Sequence, residues 1–356
     1  MEKHKIIGLM SGTSGDGLDI AYCEFEKPDQ WHYHIGPAET VEFPDDLGHQ
    51  LANAHLLEST KLIALDHAFG KWMGQQVREF CDKHQLKPDA VSSHGHTVFH
   101  QPSQGFTLQI GSGWDLAIAS QLPTIADLRS KDLALGGQGA PLAPVGDHFL
   151  FSAYDFCLNL GGISNISMIE KKQRVAYDVC PFNLLLNQEA QKLGHAYDAG
   201  GHLAKQGEIQ PELLAQLNGL SFYKKNHAKS LGREDMEEVF MPLLQQANAQ
   251  EADILRTLVE HYAIQIAQVI TQSSPRTRAK VLLTGGGTYN QFFVERLSQH
   301  LGDAAEVVIP SQKTINFKEA LIFAFLGLLH LQGLPNSFAS VTGASANSVG
   351  GIRYQP

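Results

Sequence analysis

Gly8-Leu9-Met10-Ser11-Gly12-Thr13-Ser14-Gly15-Asp16-Gly17 sets hydroxyls and one carboxylate among glycines. Glycine permits positive φ and close backbone approach, so successive N–H groups beside Ser11, Thr13 and Ser14 can surround phosphate oxygens. Asp16 then stands where a magnesium ion, or its water shell, could sit. The same residues also suit an ordinary hairpin turn with Asp-Gly at its tip. Both readings stay open on this stretch alone.

Similar chemistry recurs further along. Asn159-Leu160-Gly161-Gly162-Ile163-Ser164-Asn165 lies between apolar runs, and Gly285-Gly286-Gly287 follows the apolar run Lys280–Thr284. Asp178 precedes Pro181, where a helix begins. A carboxylate there can serve as a general base or simply cap that helix, and spacing alone favours the cap. Arg129 stands between Asp127 and Asp132, just before the glycine-rich loop 136–142. It suits a bidentate grip on an anionic ligand, or a surface ion pair with either aspartate. Ser92-Ser93-His94-Gly95-His96-Thr97 reads as a strand end dissolving into small polar residues, where α/β proteins place ligands. His94, His96 and His100 invite a metal reading, but no carboxylate or cysteine follows at ligand spacing.

The elements that must position these residues follow from periodicity. Ile6–Met10 is too short for a helix before the glycines. Leu18–Phe25 alternates, with Leu18, Ile20 and Tyr22 against Asp19, Ala21 and Cys23, so both runs read as strands of one hairpin. Trp31–Phe43 is a third strand, and Leu62, Leu65, Phe69, Met73, Val77 and Phe80 form the stripe of a helix between Ser59 and His84. Further strands are expected at Ala90–Ser93, Phe106–Ile110, Pro123–Ala126, Tyr154–Leu160, Ile166–Ile169, Arg174–Tyr177, Lys280–Thr284 and Glu306–Ile309. Helices are expected at Trp114–Gln121, Phe182–Leu193, around Leu255–Ile270, at Tyr289–Leu301 and at Lys318–Leu331. The loop 136–142 is about equally a hinge and a binding loop at a cleft mouth. The expected organisation is an N-terminal lobe over 1–128, a second lobe over 129–335, and a C-terminal segment 336–356 returning to the first lobe.

With 356 residues, 43% of them hydrophobic, the chain can bury two cores. A formal net charge of −10 disfavours partners held through phosphate backbones or anionic membranes, so neither nucleic acid nor a membrane is expected. Cys23, Cys81, Cys157 and Cys180 show no C-x-x-C spacing, which reads as a reduced, cytoplasmic protein. The N-terminus lacks a secretory h-region, and the apolar run Ala320–Leu331 is too short to span a bilayer. Neither a P-loop signature nor a G-x-G-x-x-G after a strand is present. Paired glycine hairpins and a late glycine turn instead point to an α/β, two-lobe actin-like ATPase fold, a ribonuclease-H-like unit duplicated around an interlobe nucleotide cleft. Sugar kinases and heat-shock chaperones share that fold.

A closer resemblance is carried by Met10–Ser14 with Asp16-Gly17, Ser93-His94-Gly95 with Thr97, Ala126–Arg129, Gly136–Leu142, Asn159–Asn165, Gly285–Gly287 and Thr342-Gly343-Ala344. In this order, across essentially the whole chain, they resemble the anhydro-N-acetylmuramic acid kinases of cell-wall recycling. The resemblance implies ATP with magnesium (Mg2+) and a small anhydro-sugar substrate. Its 1,6-bridge would be opened by water while O6 takes the γ-phosphoryl group, giving N-acetylmuramate 6-phosphate. It further implies Asp178 as the catalytic aspartate. Ser11, Gly12, Thr13, Ser14, Gly15, Asp16, Gly17, Asn159, Gly161, Gly162, Asn165, Gly285, Gly286 and Gly287 would contact ATP, with Asp16 toward the metal. Thr97, Arg129 and Glu319 would contact the sugar, and the family's habit is a homodimer. Glu319 equally suits a helix first turn on electrostatic grounds alone. The chain departs from the family's Asp-Thr-Gly-Pro-Gly-Asn, reading Asp178-Val179-Cys180-Pro181-Phe182-Asn183. Gly15 replaces a larger apolar residue, and His96 stands where glutamine is usual. Phe182 is expected to add bulk at the substrate or phosphate, which keeps a different anhydro-sugar open as substrate. An ATPase without sugar-kinase activity is the rival of another class.

Overall fold

β1 (His4–Ser11) and β2 (Leu18–Glu26) pair antiparallel with Ser11 opposite Leu18. This is a computed structural model, and it describes residues 3–12, 17–224, 229–274 and 278–356. β3 (His32–Val41) extends the hairpin on one side, and β4 (Ala90–Gln101) and β6 (Thr124–Ala126) lie parallel beside β1 on the other. β5 (Phe106–Ile110) folds back antiparallel on the far half of β4. The second sheet repeats the plan. β7 (Phe156–Leu160), β8 (Ile163–Glu170) and β9 (Gln173–Pro181) form an antiparallel meander, and β10 (Ala279–Thr284) and β11 (Ala305–Val308) continue parallel from β7. The two orders, β3-β2-β1-β4-β6 and β9-β8-β7-β10-β11, are the same topology twice.

The chain divides into two compact units, 1–150 with 317–356 and 151–316. This replaces the boundaries expected at 128/129 and 335/336, for a packing reason. In the helix Gln312–Leu331 the stretch from Ala320 to Leu329 is almost wholly buried. It lies so close to β1 that a Cβ on Gly8 would come 1.8 Å from the Ala320 carbonyl oxygen. The helix Ala143–Leu150 touches it too, with Gly146 against Ile322. Length and composition would let this helix cross a bilayer, yet its apolar surface is used as core. The chain end then adds β12 (Ile352–Tyr354) antiparallel to β6.

The second core gathers Phe156, Leu158, Ile166, Leu258, Tyr262, Ile266 and Phe293 among others, all from residues 156–305. The first gathers Ile7, Leu9, Ile20, Phe69, Met73, Val77 and Val91, so the stripe on the helix Ser59–His84 faces the sheet as its spacing requires.

Three local expectations change. β4 does not dissolve at Ser92–Thr97 but continues to Gln101, because β5 supplies a partner for residues 96–101. The second glycine turn is reduced to Gly161-Gly162, since Ser164 and Asn165 pair within β8, with Cys180 and with Asn159 and Asp178. The loop 136–142 lies inside the first unit rather than at a boundary.

Candidate active site

The predicted residues fall into two groups, one in each unit. In the second unit the parallel pairing of β7 with β10 brings Thr284 beside Asn159, so both glycine turns leave the same end of the sheet. Gly285 has φ +81°, and a Cβ there would meet Asn159 Oδ1 at 2.7 Å and the Leu160 carbonyl at 2.8 Å. Gly286 faces open space. The turn Gly161-Gly162 is tied to the following helix Asn183–Lys192: Gly162 O accepts from Phe182 N at 2.9 Å, and Gly161 O from Asn183 N at 3.2 Å. A cavity of about 350 Å³ opens beside Gly286 and Gly287, walled by Asn183, Asn187, Tyr197, Tyr289 and Asn290. Its size and mixed lining suit a nucleoside. Asn187, Tyr197 and Asn290 were missed by sequence reasoning. Their only sequence signal is Gly200-Gly201, a pair with positive φ that seats the preceding turn against Asn290.

Phe182 does not enter the site. It is fully buried, 4.7 Å from the Phe293 ring and 5.4 Å from Tyr262. Gly287 leaves room for it, since a Cβ there would lie 2.3 Å from the Phe182 ring. The expected bulk at the substrate is therefore core packing.

Asp178 sits within β9, three residues before its end at Pro181, rather than at the strand's last position. It caps no helix: the helix Asn183–Lys192 has Phe182 at its N-cap and no side-chain capping bond. Its carboxylate instead accepts two hydrogen bonds on one oxygen. Leu231 N–H donates to Oδ2 at 2.9 Å and Ser230 Oγ–H donates at 3.2 Å, while Asp178 N–H donates to Lys229 O at 3.0 Å. Burial pushes the carboxyl above its ordinary pKa, and these two donors pull it part of the way back. β9 is the edge strand of its sheet, so the segment 229–231 occupies the backbone edge beside Asp178. Sequence reasoning did not single out this segment.

In the first unit Arg129 is gripped from two sides. Its Nη1 donates to Gly139 O at 2.7 Å, and Nε and Nη2 approach His94 Nε2 at 3.1 and 2.9 Å. His94 Nδ1 lies 2.9 Å from Gly95 O, which makes it the protonated nitrogen and leaves Nε2 to accept. Burial first and the guanidinium second hold this imidazole neutral, well below its ordinary pKa. Burial also draws the Arg129 guanidinium down to about 10, opposed by Glu319 and Asp132. Glu319 is raised by desolvation first; Lys318 and Arg129 oppose that, and Asp19 adds to it. Arg129, Glu319 and Asp19 thus form one electrostatic cluster, of which Asp19 was not predicted. Buried Asp132 organises the neighbouring motifs. It accepts from Gly139 N at 2.8 Å, Ser337 Oγ at 2.5 Å and Thr342 Oγ1 at 2.8 Å. The glycine loop and the Thr342-Gly343-Ala344 stretch therefore meet on one carboxylate.

Thr97 lies in β4 and its hydroxyl accepts from Gln109 Nε2 at 3.3 Å. Ser11 is the last residue of β1, buried, 2.9 Å from His96 Nδ1. Gly12 and Gly17 flank the first turn, and Gly17 packs on the Val41 carbonyl. Thr13, Ser14, Gly15 and Asp16 lie outside the described residues. Among the described residues no group of three His, Cys, Asp or Glu could hold a metal ion. His94 uses both its nitrogens on Arg129 and Gly95.

The same five-strand order present twice, each sheet opening on an antiparallel hairpin, defines an α/β fold of the actin-like class. A profile described as anhydro-N-acetylmuramic acid kinase matches residues 4–356. The chain belongs to the anhydro-N-acetylmuramic acid kinase family. Curated relatives of that name are 34% identical in Vibrio vulnificus YJ016, over 99% of this chain and 98% of the relative, and 35% identical in Pasteurella multocida Pm70, over 97% and 96%. A ligand-bound xylulose kinase from Lactobacillus acidophilus aligns over 91% of this chain and 89% of its own, at 11% identity and a TM-score of 0.45.

Proposed function

We propose that the chain uses ATP to phosphorylate anhydro-N-acetylmuramic acid at O6 while water opens the 1,6-bridge, with Asp178 as general base. The observation that carries the assignment is the asymmetric hold on its carboxylate, Oδ2 taking both donors from the 230–231 segment. One oxygen fixes the orientation and the other serves as proton acceptor. Water loses its proton to Asp178 as its oxygen bonds C1. The C1–O6 bond breaks, and O6 takes the γ-phosphoryl group as ADP departs. The products are N-acetylmuramate 6-phosphate and ADP.

The adenosine end of ATP is assigned to the cavity beside Gly286, and the phosphates to Gly161, Gly162 and Asn159. Magnesium, which neutralises phosphoryl charge in this chemistry, is assigned to Asp16. Arg129 and Glu319 are assigned to the sugar. With its fork set by His94 and Gly139, Arg129 offers its remaining N–H to a carboxylate or hydroxyl.

Replacing Asp178 with asparagine keeps the size and the Oδ acceptor but removes the base. Turnover should fall about a hundredfold or more with ATP binding retained. A variant working at the parent rate would overturn the mechanism, and ATP hydrolysis indifferent to every anhydro-sugar would overturn the kinase reading.

A further inference from the structure

A second cavity, of about 510 Å³, lies in the 151–316 unit at the β8–β9 turn, the opposite end of β8 from Gly161-Gly162. Its walls include Glu170 and Lys171 at the turn, Tyr177 of β9, Tyr223, and Gln265, Gln268 and Gln272 from the helix Glu251–Ser273, so one carboxylate and a second cation share the rim with Lys229. The glutamines recur at helical spacing and present amides along one face. Two walls are rigidly held. Tyr223 OH lies 2.8 Å from His261 Nε2, and Gln265 Nε2 donates to Asn218 Oδ1 at 2.8 Å.

Lys229 borders this cavity and is only 9% exposed. Its ammonium stands 4.6 Å from the Phe222 ring centroid, 5.6 Å from Tyr223 and 6.0 Å from Tyr177. Among the described residues no carboxylate or hydrogen-bond acceptor pairs with it. Three aromatic faces offset part of the cost of covering this cation, while its ammonium stays open to the cavity it lines. Desolvation accordingly lowers its pKa. An oxyanion would complete this site as a charge-assisted hydrogen-bond partner. The cavity is of small-ligand size, and tyrosine faces with amide side chains suit a hydroxylated ring. Lys229 is also coupled to the candidate base, since its carbonyl pairs with Asp178 N–H and the next two residues hold Asp178 Oδ2.

We propose that this cavity is a second ligand site, taking a sugar phosphate or sugar acid with its anionic group on Lys229, and that its occupancy steadies the 229–231 segment on Asp178. Binding stands independently of the kinase reading; only the effect on turnover rests on it.

The test is titration calorimetry with glucose 6-phosphate, glucuronate and inorganic phosphate, with a non-hydrolysable ATP analogue present throughout. The two sugar ligands separate a phosphate from a carboxylate preference, and binding of either supports the site. Lys229→Met should weaken binding at least about tenfold, consistent with losing a charged hydrogen bond. Gln268→Leu, at an exposed helix position, should weaken it with the core untouched. Arg129→Ala should leave the binding unchanged, whatever it does to turnover. No binding, binding insensitive to both cavity variants, loss in Arg129→Ala, or inorganic phosphate binding as tightly as either sugar ligand would overturn the proposal.

Discussion

Asp178 and Ser230 form the residue-scale unit on which the proposed chemistry turns. A base must be ionised, so activity falls as pH drops through its pKa. The Ser230 bond lowers that pKa against the effect of burial. Ser230→Ala should therefore move the acid limb of the turnover profile to higher pH, with Ser230→Thr restoring it. A pH–rate series checks this, and an unmoved limb would show that Ser230 does not act on the base. At Arg129 the geometry matters as much as the charge, because His94 and Gly139 set the direction of the fork. Arg129→Lys keeps the cation but loses that fork, and should raise KM for the sugar about tenfold with little change in KM for ATP. Steady-state kinetics in both substrates separates the two effects.

Strands and helices decide which of these residues meet. The run 92–97 looks like a strand end because its residues are small and polar, yet β5 continues the ladder to Gln101. Pairing partners lie elsewhere in the chain, so no local pattern reports them. Phe182 makes the same point: beside a glycine motif it suggests an altered substrate site, but the backbone turns it beneath Gly287 against Phe293. Phe182→Ala should cost about 3–5 kcal/mol of stability through the cavity it leaves, while preference among anhydro-sugars stays unchanged. Thermal melting and a substrate panel read the two outcomes. Gly8→Ala is expected to destabilise for the opposite reason, since the helix Gln312–Leu331 leaves no room for a methyl group.

At the scale of the molecule the two units differ in how the chain builds them. Residues 151–316 are continuous and carry their own core, whereas the other unit needs 317–356 to complete it. A 151–316 fragment should melt cooperatively, and a 1–150 fragment should not fold without the buried helix that packs on Gly8. Calorimetry of the two fragments tests this. Acid should also weaken the whole chain. His94, His96 and His261 are buried and held neutral, His261 down to about 3. Below about 6.5 the unfolded chain takes up protons that these folded sites refuse, so their contribution is present at neutral pH and lost as pH falls. The limit is roughly 1.4 kcal/mol per such histidine per pH unit. A steeper loss below pH 6 that is relieved in His261→Gln is the expected result.

By itself the sequence determined the strands and helices with strong periodicity, the duplicated glycine hairpins, and through its ordered motifs the family. These signals are local: alternation, helical spacing and glycine placement are written in neighbouring residues. Only the tertiary structure decided the rest. It placed Asp132 at the meeting of the loop 136–142 with Thr342, set His94 on Arg129, and laid the 229–231 segment along Asp178. It also moved the unit boundaries, because the core that claims the helix Gln312–Leu331 is formed by residues far earlier in the chain. Each of these joins groups dozens to hundreds of residues apart, and which pairs form depends on what the whole core must bury and which polar groups remain to be satisfied.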